Sequence, residues 1–241
     1  ETLMHEVERG LDLVGAIGLG TEERELALRV PEEARAAVAT TLRDVGVTGE
    51  RPLIVIHPGC SMPARTYPWE SFVATAELAV ERLGAMIAFT GALDEQDLVA
   101  RIHDRLSPRA RAAAHPLAGQ LPFPEFCALI ERADLTITNN TGPMHVAAAV
   151  GTPVVALFAL TNPPEQWGPW RVPHRLLNHD VPCRLCYSRA CPYGHECLTL
   201  VTPEMVVSAA EELLGGEEQT KDEVRATKYE VMPTLSSLRT S

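Results

Sequence analysis

Three absences bound this sequence before any motif is read. It contains no run of about 18 apolar residues, so no helix in it is expected to span a membrane. It begins at Glu1, its first methionine is Met4, and no basic stretch followed by an apolar one stands near that end, so no signal peptide is legible. It also lacks an excess of positive charge: 21 Lys and Arg against 32 Asp and Glu give a formal net charge of −11. Such a chain repels a phosphate backbone and is a poor nucleic-acid binder. A small anion can still bind, because a few backbone N–H groups and one or two cations suffice locally. No internal repeat is evident. Residues 216–241 are polar and weakly patterned and read as a tail.

What is present is an ordinary globular mixture, 46% apolar and 22% charged over 241 residues, enough for one full domain with additional pieces. Residues 1–30 read as a helix and a short extended piece, and Pro31 to Val45 as a second helix. From there the pattern alternates. Short β-branched runs at 53–56, 85–89, 135–138 and 154–158 read as four strands, and 69–83, 94–106, 123–132 and 143–150 as helices, with a weak segment starting at His115. Alternation of this kind implies an α/β fold, a parallel sheet with helices on both faces. Ligands in such folds bind beyond the carboxyl ends of the strands, here in loops starting at His57, Thr90, Asn139 and Ala159.

The loop after the third expected strand carries the most chemistry. Asn139-Asn140-Thr141-Gly142-Pro143-Met144-His145 runs from strand to helix. Thr141 suits the cap, Pro143 the first turn, and Gly142 admits a ligand close to the backbone. Free N–H groups and the helix dipole then offer a site for a diphosphate, with His145 in the first turn to add a hydrogen bond or a charge. The same residues also suit an ordinary capped crossover with a surface histidine. In the first loop, Ser61 can donate to a phosphate oxygen and Arg65 can pair with a phosphate through its planar fork, although an arginine in a loop is most often a solvated cation. In the second loop, Asp94 and Glu95 suit either ribose hydroxyls or the start of a helix. His57 has no carboxylate spaced to orient it and reads as a loop residue.

Of six cysteines, Cys183, Cys186, Cys191 and Cys197 form C-x2-C-x4-C-x5-C. Without a secretory signal they read as thiols or metal ligands rather than disulfides. Four thiolates can hold a structural Zn²⁺, and an iron–sulfur cluster is the chemical alternative, with His179 and His195 as nearby ligands. Reduced thiols packing a loop is the plainer reading. Cys60 and Cys127 stand alone and read as packing residues.

The stretches HPGCSMPARTYPWESF, FTGALDEQDL, ADLTITNNTGPMHVAAAVGTPVVALFALTNP and VPCRLCYSRACPYGHECL resemble the C-terminal domain of glycosyltransferase family 9, the ADP-heptose lipopolysaccharide heptosyltransferases. The resemblance implies the C-terminal, Rossmann-like half of a GT-B fold. Residues 1–50 would then be the end of an acceptor domain and a linker, 51–215 the nucleotide-sugar domain and 216–241 the tail. It implies that Ser61 and Arg65 lie on the phosphate side, where Arg65 replaces the usual lysine. Glu95 would lie near the nucleoside, and Thr141, Gly142 and His145 at the diphosphate and heptose. Asn140 stands where many members have aspartate. The family's general base is an aspartate in a Gly-rich loop of the acceptor domain. No such segment is visible, so no catalytic residue is assigned and the chain reads as the donor-binding half, inactive alone. The resemblance further implies an ADP-heptose-like donor, a lipid-linked oligosaccharide acceptor, and a cytoplasmic location at the inner face of the inner membrane. No cofactor would be needed for catalysis, and the cysteine cluster, with any structural Zn²⁺, recurs in one subgroup of the family. A sugar-nucleotide epimerase of GT-B fold and a non-catalytic nucleotide-binding or zinc-stabilised module are the competing expectations.

Overall fold

The computed structural model describes residues 3–215. Six parallel strands form one sheet: β1 (Leu53–His57), β2 (Met86–Phe89), β3 (Ala114–Pro116), β4 (Leu135–Asn139), β5 (Val154–Leu157) and β6 (His174–Leu177), in the order β3-β2-β1-β4-β5-β6. Every residue of β1, β2, β4 and β5 is buried. A central parallel strand is covered on both faces, which is why these four appear in the sequence as unbroken apolar runs. The other two were not expected as strands. They are the sheet's edges: β3 is three residues long and ends on Pro116, and β6 carries His174 and Arg175 and has no buried residue. Short, polar edge strands resist pairing with other chains and for the same reason give no buried-strand signal.

Right-handed crossovers assign the helices to two faces, because strand order grows one way from β1 to β3 and the other way from β4 to β6. On one face lie α3 (Trp69–Arg82), α4 (Gln96–Arg105) and the short α5 (Pro108–Ala112). On the other lie α6 (Phe123–Arg132) and α7 (Gly142–Val150), with α2 (Glu32–Asp44) packed outside α6. Arg35 of α2 grips the buried Glu131 of α6 with both prongs of its guanidinium, Nε to Oε2 at 2.7 Å and Nη2 to Oε1 at 3.0 Å. After β5 come the single-turn α8 (Pro164–Trp167) and, beyond β6, α9 (Glu196–Thr199). The last described helix, α10 (Pro203–Gly215), unanticipated from the sequence, returns to pack on α3 and buries Val206, Val207, Ala209 and Ala210.

The amino-terminal helix α1 (Glu6–Gly15) buries no residue. It is tied down at the α8 end, where the His5 ring lies 4.4 Å from that of Trp170 and bonds the Gly168 carbonyl. Gln166 also bonds Glu6, and Trp170 bonds the Arg24 carbonyl. The tail expected at 216–241 lies outside the described residues.

Candidate functional site

Strand order reverses between β1 and β4, which pair directly with His57 opposite Thr138. A crevice at such a switch point, beyond the carboxyl ends of the strands, is where open α/β sheets bind ligands. Asn139, the last residue of β4 and fully buried, shapes it. Its Oδ1 accepts from the Tyr67 N–H at 2.9 Å, and its Nδ2 donates to the carbonyls of Pro58 at 2.9 Å and Gly59 at 3.3 Å. One amide thus closes both ends of the loop after β1, which carries Ser61 and Arg65. Asn139 opens one of the loops expected from the sequence, but no role is assigned to it there. An asparagine ending a buried strand, where an apolar residue is expected, is the signal that was there to use.

The start of α7 follows β4 directly, at the same carboxyl-end side of the sheet. Pro143 lies in its first turn, and Thr141 precedes the helix with extended backbone. The expectation that Thr141 caps the helix is corrected: its side chain makes no cap hydrogen bond. Its hydroxyl therefore does not satisfy the first-turn N–H groups. A Cβ built on Gly142 would meet no atom within 4 Å, so the space in front of these N–H groups is open and a phosphate can approach them. His145 is half-buried, and burial above all, then the neighbouring His5, lowers its pKa. At neutral pH it offers a neutral ring, not the positive charge considered from sequence.

On the β2 side of the crevice, His57 is corrected twice. It is the last residue of β1 rather than a loop residue, and it does have a carboxylate partner: its Nε2 lies 3.4 Å from Glu95 Oε2. Its Nδ1 lies 3.0 Å from the hydroxyl of the buried Thr90. A carboxylate only accepts, so the Nε2 of His57 carries a proton toward Glu95. Glu95 Oε2 also accepts the Ala92 N–H at 2.7 Å, and the hydrogen bond from His57 is the foremost cause holding its pKa below the ordinary value. The carboxylate rests on Gly59, where an added Cβ would lie 1.9 Å from Oε1, so a side chain there would displace the carboxylate.

On the β5 side, Arg65 is half-buried and is not a free loop cation: its Nε donates to Thr161 Oγ1 at 3.0 Å. Thr161 donates to Asn162 Oδ1 at 3.2 Å, and the same oxygen accepts from Asn140 Nδ2 at 3.1 Å. All three of Asn140, Thr161 and Asn162 are buried. Thr161 and Asn162 were not singled out from sequence, although they lie in the loop after β5 that topology marks. Ser61 is exposed at the rim of the loop. The structure therefore gathers Arg65 and Asn140 into one network and places Glu95 with His57 in another. Thr141, Gly142 and His145 open the helix between them.

The cysteine-bearing segment packs against this β5 side. Ala64 N–H donates to the Arg189 carbonyl at 3.0 Å, Tyr187 N–H to the Thr161 carbonyl at 3.0 Å, and the His195 ring bonds the Ala64 carbonyl through Nε2 at 2.8 Å. Cys183, Cys186, Cys191 and Cys197 line one cavity of about 10 Å³ together with Ala64, Thr161 and His195. Among the described residues, however, no three His, Cys, Asp or Glu side chains are drawn together closely enough to hold a metal ion. All six cysteines are free thiols. Burial pushes Cys197 up, and Cys127, buried beside Glu131, up to about 11, so Cys127 is a packing residue rather than a reactive one. His179 is exposed, its N–H donating to the Cys197 carbonyl.

Comparison with known proteins agrees with this fold. The lipooligosaccharide heptosyltransferase 2 of Haemophilus influenzae is 29% identical over 177 residues, 72% of this chain and 50% of the relative. A glycosyltransferase family 9 structure from Veillonella parvula superposes with a TM-score of 0.75 at 24% identity, covering 88% of this chain and 60% of that one. The E. coli ADP-heptose lipopolysaccharide heptosyltransferase II gives 0.65 at 23%, covering 78% and 53%. The chain thus spans about half the length of the curated relatives it matches. The model of the family described as glycosyltransferase family 9 (heptosyltransferase) matches residues 1–196, and the chain belongs to that family.

Proposed function

We propose that this chain is the donor-nucleotide-binding half of a heptosyltransferase that moves heptose from ADP-heptose to a lipopolysaccharide core acceptor. The observation that carries the reading is the Gly142-opened start of α7 at the β1–β4 switch point, with Arg65 anchored beside it. The helix N–H groups hold the diphosphate and stabilise the charge it gains as the leaving group when the acceptor hydroxyl attacks the anomeric carbon. Arg65, with Nε engaged by Thr161, turns its remaining N–H groups to phosphate, and Ser61 adds a donor from the rim. Glu95 faces the nucleoside. In this reading residues 1–50 end an acceptor domain, 51–215 bind the donor, and the base that deprotonates the acceptor lies outside the chain. The reaction runs at the cytoplasmic face of the inner membrane, where the lipid-linked acceptor is presented, and needs no metal for catalysis.

The test is titration of the 241-residue chain with ADP, beside a transfer assay using ADP-heptose and a core acceptor. ADP should bind and no heptose should move. Absence of binding at millimolar ADP refutes the donor-site reading, and transfer by the chain alone refutes the division of labour. The cysteine cluster enters this reading as a structural Zn²⁺ site. The four thiols supply the donor set of a tetrahedral zinc, although as placed they do not converge on one point. One zinc per chain by elemental analysis supports that role, and a metal-free chain with unchanged melting temperature after zinc addition refutes it.

A further inference from the structure

Residues 181–195 differ in charge from the rest of the chain. They hold no Asp or Glu, although the whole carries −11, and Arg184, Tyr187, Arg189 and Tyr193 are all exposed. The segment is held to the protein largely by main-chain atoms. Cys186 N–H donates to the Leu160 carbonyl at 3.3 Å and Tyr187 N–H to the Thr161 carbonyl at 3.0 Å, while the Arg189 carbonyl accepts the Ala64 N–H at 3.0 Å. These bonds tie it to the loops after β1 and β5 without using the side chain of Tyr187 or Arg189. Tyr187 holds its place with a φ of 50°, in the left-handed region that bulky residues rarely adopt. Tyr187 and Tyr193 are 68% and 66% exposed, and Arg189 makes no ion pair among the described residues. Tyrosine offers a large, stiff contact face at small entropic cost, and a guanidinium pairs with carboxylate or phosphate through two parallel bonds.

Resting on the donor-site reading above, we infer that Tyr187, Arg189 and Tyr193 form an acceptor subsite on the donor-binding half, one that takes an acidic oligosaccharide. The tyrosine rings lie against sugar rings, and Arg189 pairs with a carboxylate or phosphate of the glycan. An acceptor must bring its hydroxyl to the anomeric carbon of the donor, so it must lie along one side of the crevice. The two sides differ in charge. On the β2 side Asp94 and Asp97 are exposed and Glu95 is part-buried, a surface that repels an acidic glycan. On the β5 side residues 181–195 are free of acid, and of the carboxylates flanking them in sequence Asp180 is paired with Arg184 at 3.0 Å. Arg189 therefore offers an unshared positive charge, and the main-chain bonds fix the loop before any ligand arrives, which lowers the entropic cost of binding.

Titration calorimetry on the chain tests this with three ligands: deacylated lipopolysaccharide core as the anionic glycan, the same glycan stripped of carboxylates and phosphates, and ADP. The parent should bind the anionic glycan about tenfold tighter than the neutral one. Tyr187→Ala should weaken both glycans about tenfold, and Tyr187→Phe, which keeps the ring, should restore them. Tyr193→Ala should act in the same direction. Arg189→Gln should abolish the preference for the anionic glycan, and Arg189→Lys, which keeps the charge, should retain a preference. ADP affinity should stay at the parent value throughout, because the main-chain bonds to Leu160, Thr161 and Ala64 survive each change. A parent that binds ADP but neither glycan, or a Tyr187→Phe as weak as Tyr187→Ala, overturns the subsite while leaving the donor site standing. Parallel loss of ADP and glycan in the variants overturns it in favour of a structural role. A parent that binds the anionic glycan but not ADP removes the donor-site reading, and with it the assignment of that glycan as acceptor.

Discussion

Two polar networks flank the switch point, and they differ in how they end. On the β2 side, His57 has a partner for each ring nitrogen, and the Glu95 carboxylate is held by His57 and the Ala92 N–H above Gly59. On the β5 side, Arg65, Thr161, Asn162 and Asn140 are linked in one direction and terminate on an unpaired oxygen. A closed network holds the fold around a site, and a ligand engages it only through lone pairs left over or by displacing a bond. An open one leaves a buried group unsatisfied and stands to gain from a ligand that completes it. The start of α7 lies between the two and belongs to neither.

The strongest way to break this arrangement is to close that gap. Gly142→Val places a branched side chain where nothing now lies within 4 Å and where Gly142 has ordinary backbone angles. The protein should melt as the parent does, while ADP affinity falls by ~100-fold or more. Thermal melts with and without ADP separate the two effects. If ADP raises the melting temperature of the variant as much as that of the parent, the diphosphate binds elsewhere.

Asn139→Leu tests the element common to both sides, because the same amide fixes the loop between them. Burying leucine there leaves the Tyr67 N–H and the Pro58 carbonyl without partners, at about 1–3 kcal/mol for each unpaired group. A loss of about 2–6 kcal/mol is expected in denaturant titration, with weaker ADP binding as a consequence of the freed loop. A variant as stable as the parent would show that the loop is held by other contacts.

How much of this was legible beforehand follows from sequence separation. The central strands and the α7 turn are written in adjacent residues: apolar runs in β1, β2, β4 and β5, and Thr-Gly-Pro at a strand–helix junction. Arg65 and Glu95 lie in the loops after β1 and β2, where the sequence put them. Their partners were not, because Arg65 and Thr161 lie 96 positions apart and the His57–Glu95 contact joins the ends of two different strand–loop units. Nothing periodic announces such contacts. The edge strands β3 and β6 were missed for the opposite reason, since their local composition is what keeps an edge from pairing.

A smaller effect distinguishes the two networks directly. Arg65→Ala removes a charge-assisted phosphate contact, ordinarily about 1.5–3 kcal/mol or ~10- to 150-fold in affinity. Glu95→Ala removes a carboxylate whose Oε2 is already engaged by His57 and the Ala92 N–H, so a ribose hydroxyl adds little to it and ADP affinity should fall only a few-fold. Equal affinity of Arg65→Ala and the parent in calorimetry reverses the ranking. Acid adds a stability signature for the closed side. The Glu95 pKa is lowered from 4.5 by His57 first, so its contribution is present above that value and lost as pH falls through the folded-state value. Glu95→Gln should flatten the dependence of melting temperature on pH in that window, whereas Asn140→Leu should leave it unchanged.

The smallest effect expected is that of Thr141→Ala, and its smallness is informative. A threonine that caps a helix typically contributes about 1 kcal/mol. Thr141 makes no such bond, although it stands at the cap position with extended backbone, so its replacement should leave the melting temperature within experimental error. The hydroxyl then has one remaining role, a hydrogen bond to a phosphate oxygen at the mouth of α7, worth a few-fold in ADP affinity. Thr141→Ser should restore that affinity because it keeps the hydroxyl. A loss of stability without loss of binding would mean that Thr141 does cap α7 in solution, and the start of the helix would be less open to a ligand than its geometry implies. Unchanged stability with a few-fold weaker ADP, rescued by serine, would separate a residue that binds from one that builds.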